Sequence, residues 1–257
     1  MQEVIVVIPI YNPLLNEKER ISLRQTYEVL QQHPMVVVHP EGMDLEPLQQ
    51  QFPRLTFQAF PPDYFRDIVG YNRLMLATEF YEAFIDYRYL LIAQLDTYIF
   101  NDQLLDWCKR GYDYVGAPWL RRPVYNLPIV RQVISLISWV AHLRGRRTQF
   151  DRYGKVGNGG LSLRKIESHL RILRTQASDV ADYAITHNRE HLYNEDTFWA
   201  MEPQDFSYPS WEEAMLFSYN KYPELSYRLT HHQLPFGCHG WTKPKYNKFW
   251  KKYILDS

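Results

Sequence analysis

The sequence predicts an α/β fold in which an open, mostly parallel sheet carries helices on both faces. Three observations predict it. Short runs rich in β-branched residues, Val4 to Ile10 and Tyr89 to Leu95 among them, are apolar throughout, the pattern of strands covered on both sides. Between such runs lie segments whose apolar residues recur at helical spacing. The two patterns alternate over residues 1–118, and such alternation specifies a sheet wound with crossover helices.

The first strand, VIVVIPI, is closed by Tyr11-Asn12-Pro13. A helix follows from about Glu17 to Gln32, with Ile21, Leu23, Tyr27 and Leu30 on one face, and His33-Pro34 stops it before a second strand at Met35 to Val38. A third strand is expected at Leu55 to Phe60, then a loop marked by Pro61-Pro62 and one long helix from Tyr71 to Asp86. The run YLLIAQL ends in Asp96, a helix is expected near Asp102 to Arg110, and Asp113 to Gly116 forms one more short strand. The alternation then breaks. Pro128 to Leu143 reads as an apolar helix ending in the basic residues Arg144, Arg146 and Arg147. The glycine-rich turn VGNGG runs into a strand ending near Arg164, followed by a helix to about Arg174, a polar loop, Asn194-Glu195-Asp196 and a helix from Ser210 to Asn220. In such sheets ligands bind beyond the carboxyl ends of the strands, where Tyr11, Asn12 and Asp96 fall.

Composition narrows the function classes. Of 257 residues 46% are hydrophobic and 23% charged, with 29 Lys and Arg against 29 Asp and Glu, which excludes a disordered chain, a collagen and a polybasic nucleic-acid binder. The length fits one domain. Cys108 and Cys238 lie far apart and outside any CxxC pair, so neither a structural zinc site nor a redox motif is expected. With no basic leader and no apolar run of about 18 residues, the expected address is cytoplasmic. Aromatic residues reach 16%, a content useful for lining polar and sugar pockets.

Four groups carry the candidate chemistry, and each has a bland alternative. Asp96 ends an apolar strand, so it either holds something positive or caps the following turn. The Gly157 to Gly160 turn lets a ligand approach backbone or serves a loop, and lacks the Lys and Ser/Thr of a phosphate-binding P-loop. Asn194-Glu195-Asp196 is an acidic helix start or a carboxylate pair for general-base work. His239, in PFGCHGW, is a metal ligand or a packing residue.

Taken in order, these segments resemble the GT-A type glycosyltransferases, and among them the β-1,4-galactosyltransferase family. That family runs Phe-Asn-Arg, Asp-Tyr-x-Tyr, Asp-x-Asp, Gly-Gly-x-Ser, Gly-Glu-Asp and a metal-binding His. The matching stretches here are Tyr71-Asn72-Arg73, Asp86-Tyr87-Arg88-Tyr89, Gln94-Leu95-Asp96, Gly159-Gly160-Leu161-Ser162, Asn194-Glu195-Asp196 and His239. The segments QLD, VGNGG, NED and PFGCH also resemble an uncharacterised bacterial glycosyltransferase-like family. Gln94 departs from the first Asp of Asp-x-Asp, and Asn194 from the Gly before Glu-Asp.

The resemblance implies a GT-A, Rossmann-like domain whose residues 1–118 form a nucleotide-sugar half and 119–257 an acceptor half, with a helical insertion at 120–155. It implies transfer of a hexose from a nucleoside diphosphate sugar, a UDP-sugar foremost, to a glycan or lipid-linked acceptor in surface polysaccharide synthesis. Tyr11, Asn12, Asn72, Arg73, Gln94 and Asp96 would contact the nucleotide sugar. Asp96 and His239 would hold Mn²⁺ or Mg²⁺, the nitrogen ligand favouring Mn²⁺. Asp196 would act as general base with Glu195 on a sugar, and a single base implies inversion. Gly159 and Gly160 would face the acceptor, and Trp119, Trp199, Trp211 or Trp241 would stack on sugar faces or pack in the core. The segment 128–147 either covers the site or lies in a lipid interface. No nucleic-acid partner is expected. Two rivals share these residues: a non-catalytic nucleotide-sugar or carbohydrate binding module, favoured by Gln94, and a metal-dependent hydrolase built on Asp96, Asp196 and His239.

Overall fold

Three apolar runs, Val4 to Ile10, Met35 to Val38 and Tyr89 to Ala93, can lose both faces to packing, and they lie side by side inside the main sheet. A computed structural model describes residues 1–185 and 192–255. Strands β1 (Gln2–Pro9), β2 (Met35–Pro40), β3 (Leu55–Phe60) and β4 (Tyr87–Ala93) pair in parallel, in the order β3-β2-β1-β4. Strands β6 (Tyr114–Gly116) and β7 (Leu161–Lys165) extend the sheet past β4, with β7 inserted antiparallel between β4 and β6. A smaller sheet joins β5 (Thr97–Ile99), β8 (Ser218–Tyr219) and β9 (Gly237–His239) in the order β5-β9-β8. The expected α/β architecture is thus present, and its antiparallel insertion is the feature that the alternation of patterns does not reveal.

Helices cover both faces. α1 (Glu17–Val29) starts at Asn16, whose side chain and that of Glu19 form a reciprocal capping box. α2 (Glu46–Gln51), which the sequence reading omits, packs Leu48 against the same core. The single helix expected from Tyr71 to Asp86 is instead two, α3 (Ile68–Met75) and α4 (Thr78–Glu82), broken at an extended Ala77. One straight helix cannot bury successive residues around its circumference, and here Leu74, Met75, Leu76, Phe80, Tyr81 and Phe84 are all buried. The break also moves the helix start forward to Asp67, which caps Gly70, so Tyr71-Asn72-Arg73 lies inside α3 rather than opening it.

α5 (Leu104–Lys109) and α6 (Pro128–Leu143) match their expected positions. α7 (Ile166–Thr175) follows β7, and the polar loop expected next begins as α8 (Ala177–Ile185), its remainder at 186–191 lying outside the described residues. α9 (Glu195–Met201) follows Asn194, and α10 (Trp211–Phe217) ends three residues before the expected Asn220 because Ser218 and Tyr219 pair with β9. α11 (Pro223–Leu229) and α12 (Asn247–Trp250) complete the second half. An aromatic cluster including Tyr219, Trp241, Phe249 and Trp250 cements the small sheet to the C-terminal helices. Both cysteines are buried free thiols.

Candidate active site

The site lies at the carboxyl ends of β1 and β4, as an open parallel sheet requires. There a cleft of about 500 Å³ is walled by Tyr11, Tyr64, Phe65, Tyr71, Gln94 and Asp96. Tyr11 and Asn12 are exposed beyond β1, and Asn12 uses its side chain to hold the turn by accepting from the Leu14 N–H at 2.9 Å. Arg73 is exposed, its guanidinium 3.5 Å from the Asp63 carbonyl on the segment that carries Tyr64.

Asp96 and His239 meet although 143 positions separate them. The antiparallel pairing of β5 with β9 sets Thr97 opposite His239, and the Gly240 N–H donates to the Asp96 carbonyl at 2.9 Å. This register brings His239 Nε2 to 3.0 Å from Asp96 Oδ1. Burial alone would raise the Asp96 carboxyl, but His239 and Lys243 outweigh it and hold the group below its ordinary value. The alternative in which Asp96 merely caps a turn is therefore not the arrangement found. A carboxylate oxygen and an imidazole nitrogen at this separation suit a hard-to-borderline divalent cation such as Mn²⁺, with substrate oxygens and water completing its shell. Among the described residues no group of three or more His, Cys, Asp or Glu gathers that could hold a metal.

The glycine turn is shaped by the same groups. A side chain at Gly160 would fall on the His239 ring, and one at Gly159 on the Glu195 carboxylate. Space read from the sequence as room for an acceptor is taken by the protein's own catalytic candidates. Asn158 adopts a left-handed backbone (φ 73°), and its side chain accepts from the Gly160 N–H at 3.3 Å, which fixes the turn.

Beneath the turn lies a buried ion pair. Arg164, on β7, donates to Ser162 Oγ at 3.0 Å, to Tyr81 Oη at 2.9 Å and to Glu195 Oε1 at 3.1 Å, with Glu195 Oε2 in ionic contact at 3.0 Å. The Glu195 carboxyl is pushed up to about 7 by burial, against Arg164, with the neighbouring Asp196 adding to the rise. Asp196 is also raised, chiefly by burial, and its Oδ1 is buried without a hydrogen-bond partner. Each acidic residue has one buried oxygen without a hydrogen-bond partner, Glu195 Oε2 and Asp196 Oδ1, but only Glu195 is ion-paired to Arg164.

Several expected contacts fall elsewhere. Asn72 points away from the cleft: its Oδ1 accepts from the Glu195 N–H at 3.1 Å and its Nδ2 donates to Asn194 at 3.3 Å. Trp241 is a core residue, its indole N–H shared between Ser22 Oγ at 2.9 Å and the Thr97 carbonyl at 3.2 Å, so it cannot stack on a sugar. Trp199 is likewise buried, against His169 and Phe206. Trp119 lines a hollow of about 150 Å³ shared with Arg152, Tyr153, Lys221 and Tyr222.

Sequence reasoning passed over Arg164, Lys221 and Lys243. The first had a signal: an arginine inside an apolar strand needs a buried partner. The lysines had none, because only the fold gathers them. Burial and the nearby cations Arg152, Lys245 and Lys243 lower the Lys221 pKa, a sign of positive charge crowded beside Asp96 and Asp196.

The model of a family described as Protein of unknown function (DUF5672) matches residues 54–239, more than half of the chain. None of the curated proteins matches the sequence. Among solved structures, galactosyltransferase LgtC in complex with donor and acceptor sugar analogs is similar at 12% identity and a TM-score of 0.53, over 91% of this chain and 86% of that one. Mouse xyloside xylosyltransferase 1 is similar at 12% identity and a TM-score of 0.54, over 93% and 97% of the two chains. The bifunctional glycosyltransferase WbbM gives 11% and 0.53, over 93% of this chain and 45% of its own. The fold is that of the GT-A glycosyltransferases.

Proposed function

The chain belongs to the DUF5672 family, and we propose that it is a metal-dependent glycosyltransferase that moves a hexose from a nucleoside diphosphate sugar to a glycan or lipid-linked acceptor. The observation that carries this reading is the Asp96–His239 pair, 3.0 Å apart at the mouth of a strand-end cleft walled by aromatic rings. A UDP-sugar is the leading donor and surface polysaccharide synthesis the leading setting, both from the motif resemblance.

Tyr11, Tyr64 and Phe65 would hold the nucleotide base and ribose, with Asn12 and Arg73 at the rim. Asp96 and His239 would hold the divalent cation, which when bound neutralises charge on the departing diphosphate. Lys243 and Lys221 add positive charge on the same side, where a diphosphate relieves their mutual repulsion. Asp196 takes the acceptor proton through its uncommitted oxygen, and its raised pKa brings it nearer to the poise of a general base. Glu195, held by Arg164, orients the start of α9 that carries Asp196 rather than touching a sugar. Trp119, Tyr153 and Tyr222 would receive the acceptor.

Thermal unfolding with UDP, GDP, CDP or TDP, each with and without Mn²⁺, tests the reading on wild type and Asp96→Asn. A nucleotide at about 100 times its Kd stabilises by roughly 2.7 kcal/mol, a shift of several degrees. We expect one nucleotide to give that shift only with Mn²⁺, and Asp96→Asn to lose it. No shift with any nucleotide would turn the site over to the hydrolase or sugar-binding alternatives.

A further inference from the structure

Helix α6 buries one narrow seam and leaves an apolar face outside. Ile134 is buried, with Val130, Ser138 and Ala141 half-buried beside it, so a single side of the helix rests on the protein. The seam is pinned by Ser138 against Thr148 at 3.4 Å and by His142 against Asp151 at 3.1 Å. By helical geometry Ile129, Val133, Leu136, Ile137, Val140 and Leu143 share roughly 120° of arc on the outward side. All six are exposed, Ile129 at 77% of its surface, and Trp139 at their edge is 59% exposed. Gln132 falls between Leu143 and Trp139 at that margin, and Arg131, Ser135 and His142 occupy the remaining face. A solvated helix has no use for a continuous apolar face of this size.

Charge decides between a protein partner and a lipid surface. From Tyr114 to Phe150 the chain has six arginines and not one Asp or Glu. Arg144 and Arg146, just past the end of α6, are exposed and border the shallow groove formed by Leu136, Ile137 and Val140, whereas Arg131 is exposed on the opposite face. An apolar stripe that ends in two exposed arginines, with an indole at its margin, matches an anionic bilayer: acyl chains against the stripe, phosphates against the guanidinium groups, the indole at headgroup depth. No helix among the described residues is long and apolar enough to cross a membrane, so contact would be peripheral. We propose that α6 docks this protein in the plane of an anionic lipid surface, independently of the reaction it carries out.

Co-sedimentation of the full chain with vesicles tests this. We expect it to pellet with phosphatidylcholine vesicles containing about 30% phosphatidylglycerol, to bind pure phosphatidylcholine roughly tenfold more weakly or worse, and to be released by high salt. Leu136→Glu and the double variant Arg144→Glu/Arg146→Glu should each weaken binding roughly tenfold or more. Ser135→Gln, on the polar face, should bind as wild type. All these side chains are exposed, so unchanged melting and circular dichroism show that the variants remain folded. Equal binding to both vesicle types, or to neither, would overturn the proposal. So would a lipid-free dimer dissolved by Leu136→Glu, which would give the face to a second copy of the chain.

Discussion

Two ion pairs of the same length, 3.0 Å, sit at the two levels of the candidate site and behave oppositely. At the mouth, Asp96 and His239 keep 29% and 14% of their side-chain surfaces exposed, and the carboxylate stays easily ionised. At the floor, Arg164 and Glu195 keep 0% and 4%, and the carboxyl is pushed up to about 7 despite two contacts to a guanidinium. Surroundings, not distance, set the difference: burial raises both carboxyls, but His239 and Lys243 outweigh it at the mouth, whereas Arg164 does not at the floor, where Asp196 adds to the rise. The mouth pair therefore keeps a face toward solvent, and the floor pair is enclosed by the protein.

The largest expected effect comes from breaking the floor. Arg164→Met leaves Glu195, Tyr81 and Ser162 without their shared donor inside the protein. Removing one partner of a buried pair typically costs about 3–5 kcal/mol, which urea unfolding would read directly. Adding Glu195→Gln to Arg164→Met should recover part of that loss. Asp96→Asn, at the mouth, should cost no more than about 1 kcal/mol, in line with partly exposed pairs. If both single variants lost equal stability, the two levels would not differ in kind.

A second test uses pH. His169 packs against Tyr81, Trp199 and Phe206, donating from Nδ1 to the Lys165 carbonyl at 2.8 Å while its other nitrogen is buried without a partner. Burial first, and then Arg164, holds its pKa well below the ordinary value. The folded protein thus declines a proton that the unfolded chain accepts below about pH 6.5, so this contribution is present above that pH and lost beneath it, by about 1.4 kcal/mol per unit. Glu195 titrates with the opposite sign, its raised carboxyl favouring the fold as pH drops from about 7. The readout is accordingly a difference: wild type minus His169→Phe should decline by about 1.4 kcal/mol per unit below pH 6.5. A difference independent of pH would mean that His169 takes a proton in the fold.

The comparison also explains what could be read from the sequence. Local patterns reported the parallel strands, because a β-branched apolar run identifies itself, and they bounded α6 at Pro128 and Leu143. The helix break at Ala77 was invisible because it answers a demand of packing around the whole circumference, with no Gly or Pro to mark it. Asp96 and His239 could be named singly, but their meeting depends on the register of β5 with β9, a pairing across 143 positions. Which of its two readings holds for Trp241, the core one, was hidden for the same reason, since Ser22 and Thr97, its hydrogen-bond partners, lie far off in the chain. Mouth residues were named from a motif order, whereas the floor, made of tertiary contacts, was largely missed.

Asn72 provides the smallest and sharpest test, since the motif order assigns it to the mouth and the structure to the floor. Asn194 stands at the N-cap of α9 without a side-chain capping bond, and Asn72, reaching from α3, accepts from the Glu195 N–H in its stead. Loss of a capping acceptor typically costs about 1 kcal/mol. Asn72→Ala should therefore lower stability by about that amount and loosen the start of α9, reducing kcat through Asp196 while nucleotide affinity stays within about twofold of wild type. Asn72→Ser, with a shorter reach, should not restore turnover, because the acceptor must span from one helix to the other. A variant that lost nucleotide affinity with kcat intact would return Asn72 to the cleft. The opposite result would make it a positioning residue, acting on the reaction through the helix that it caps.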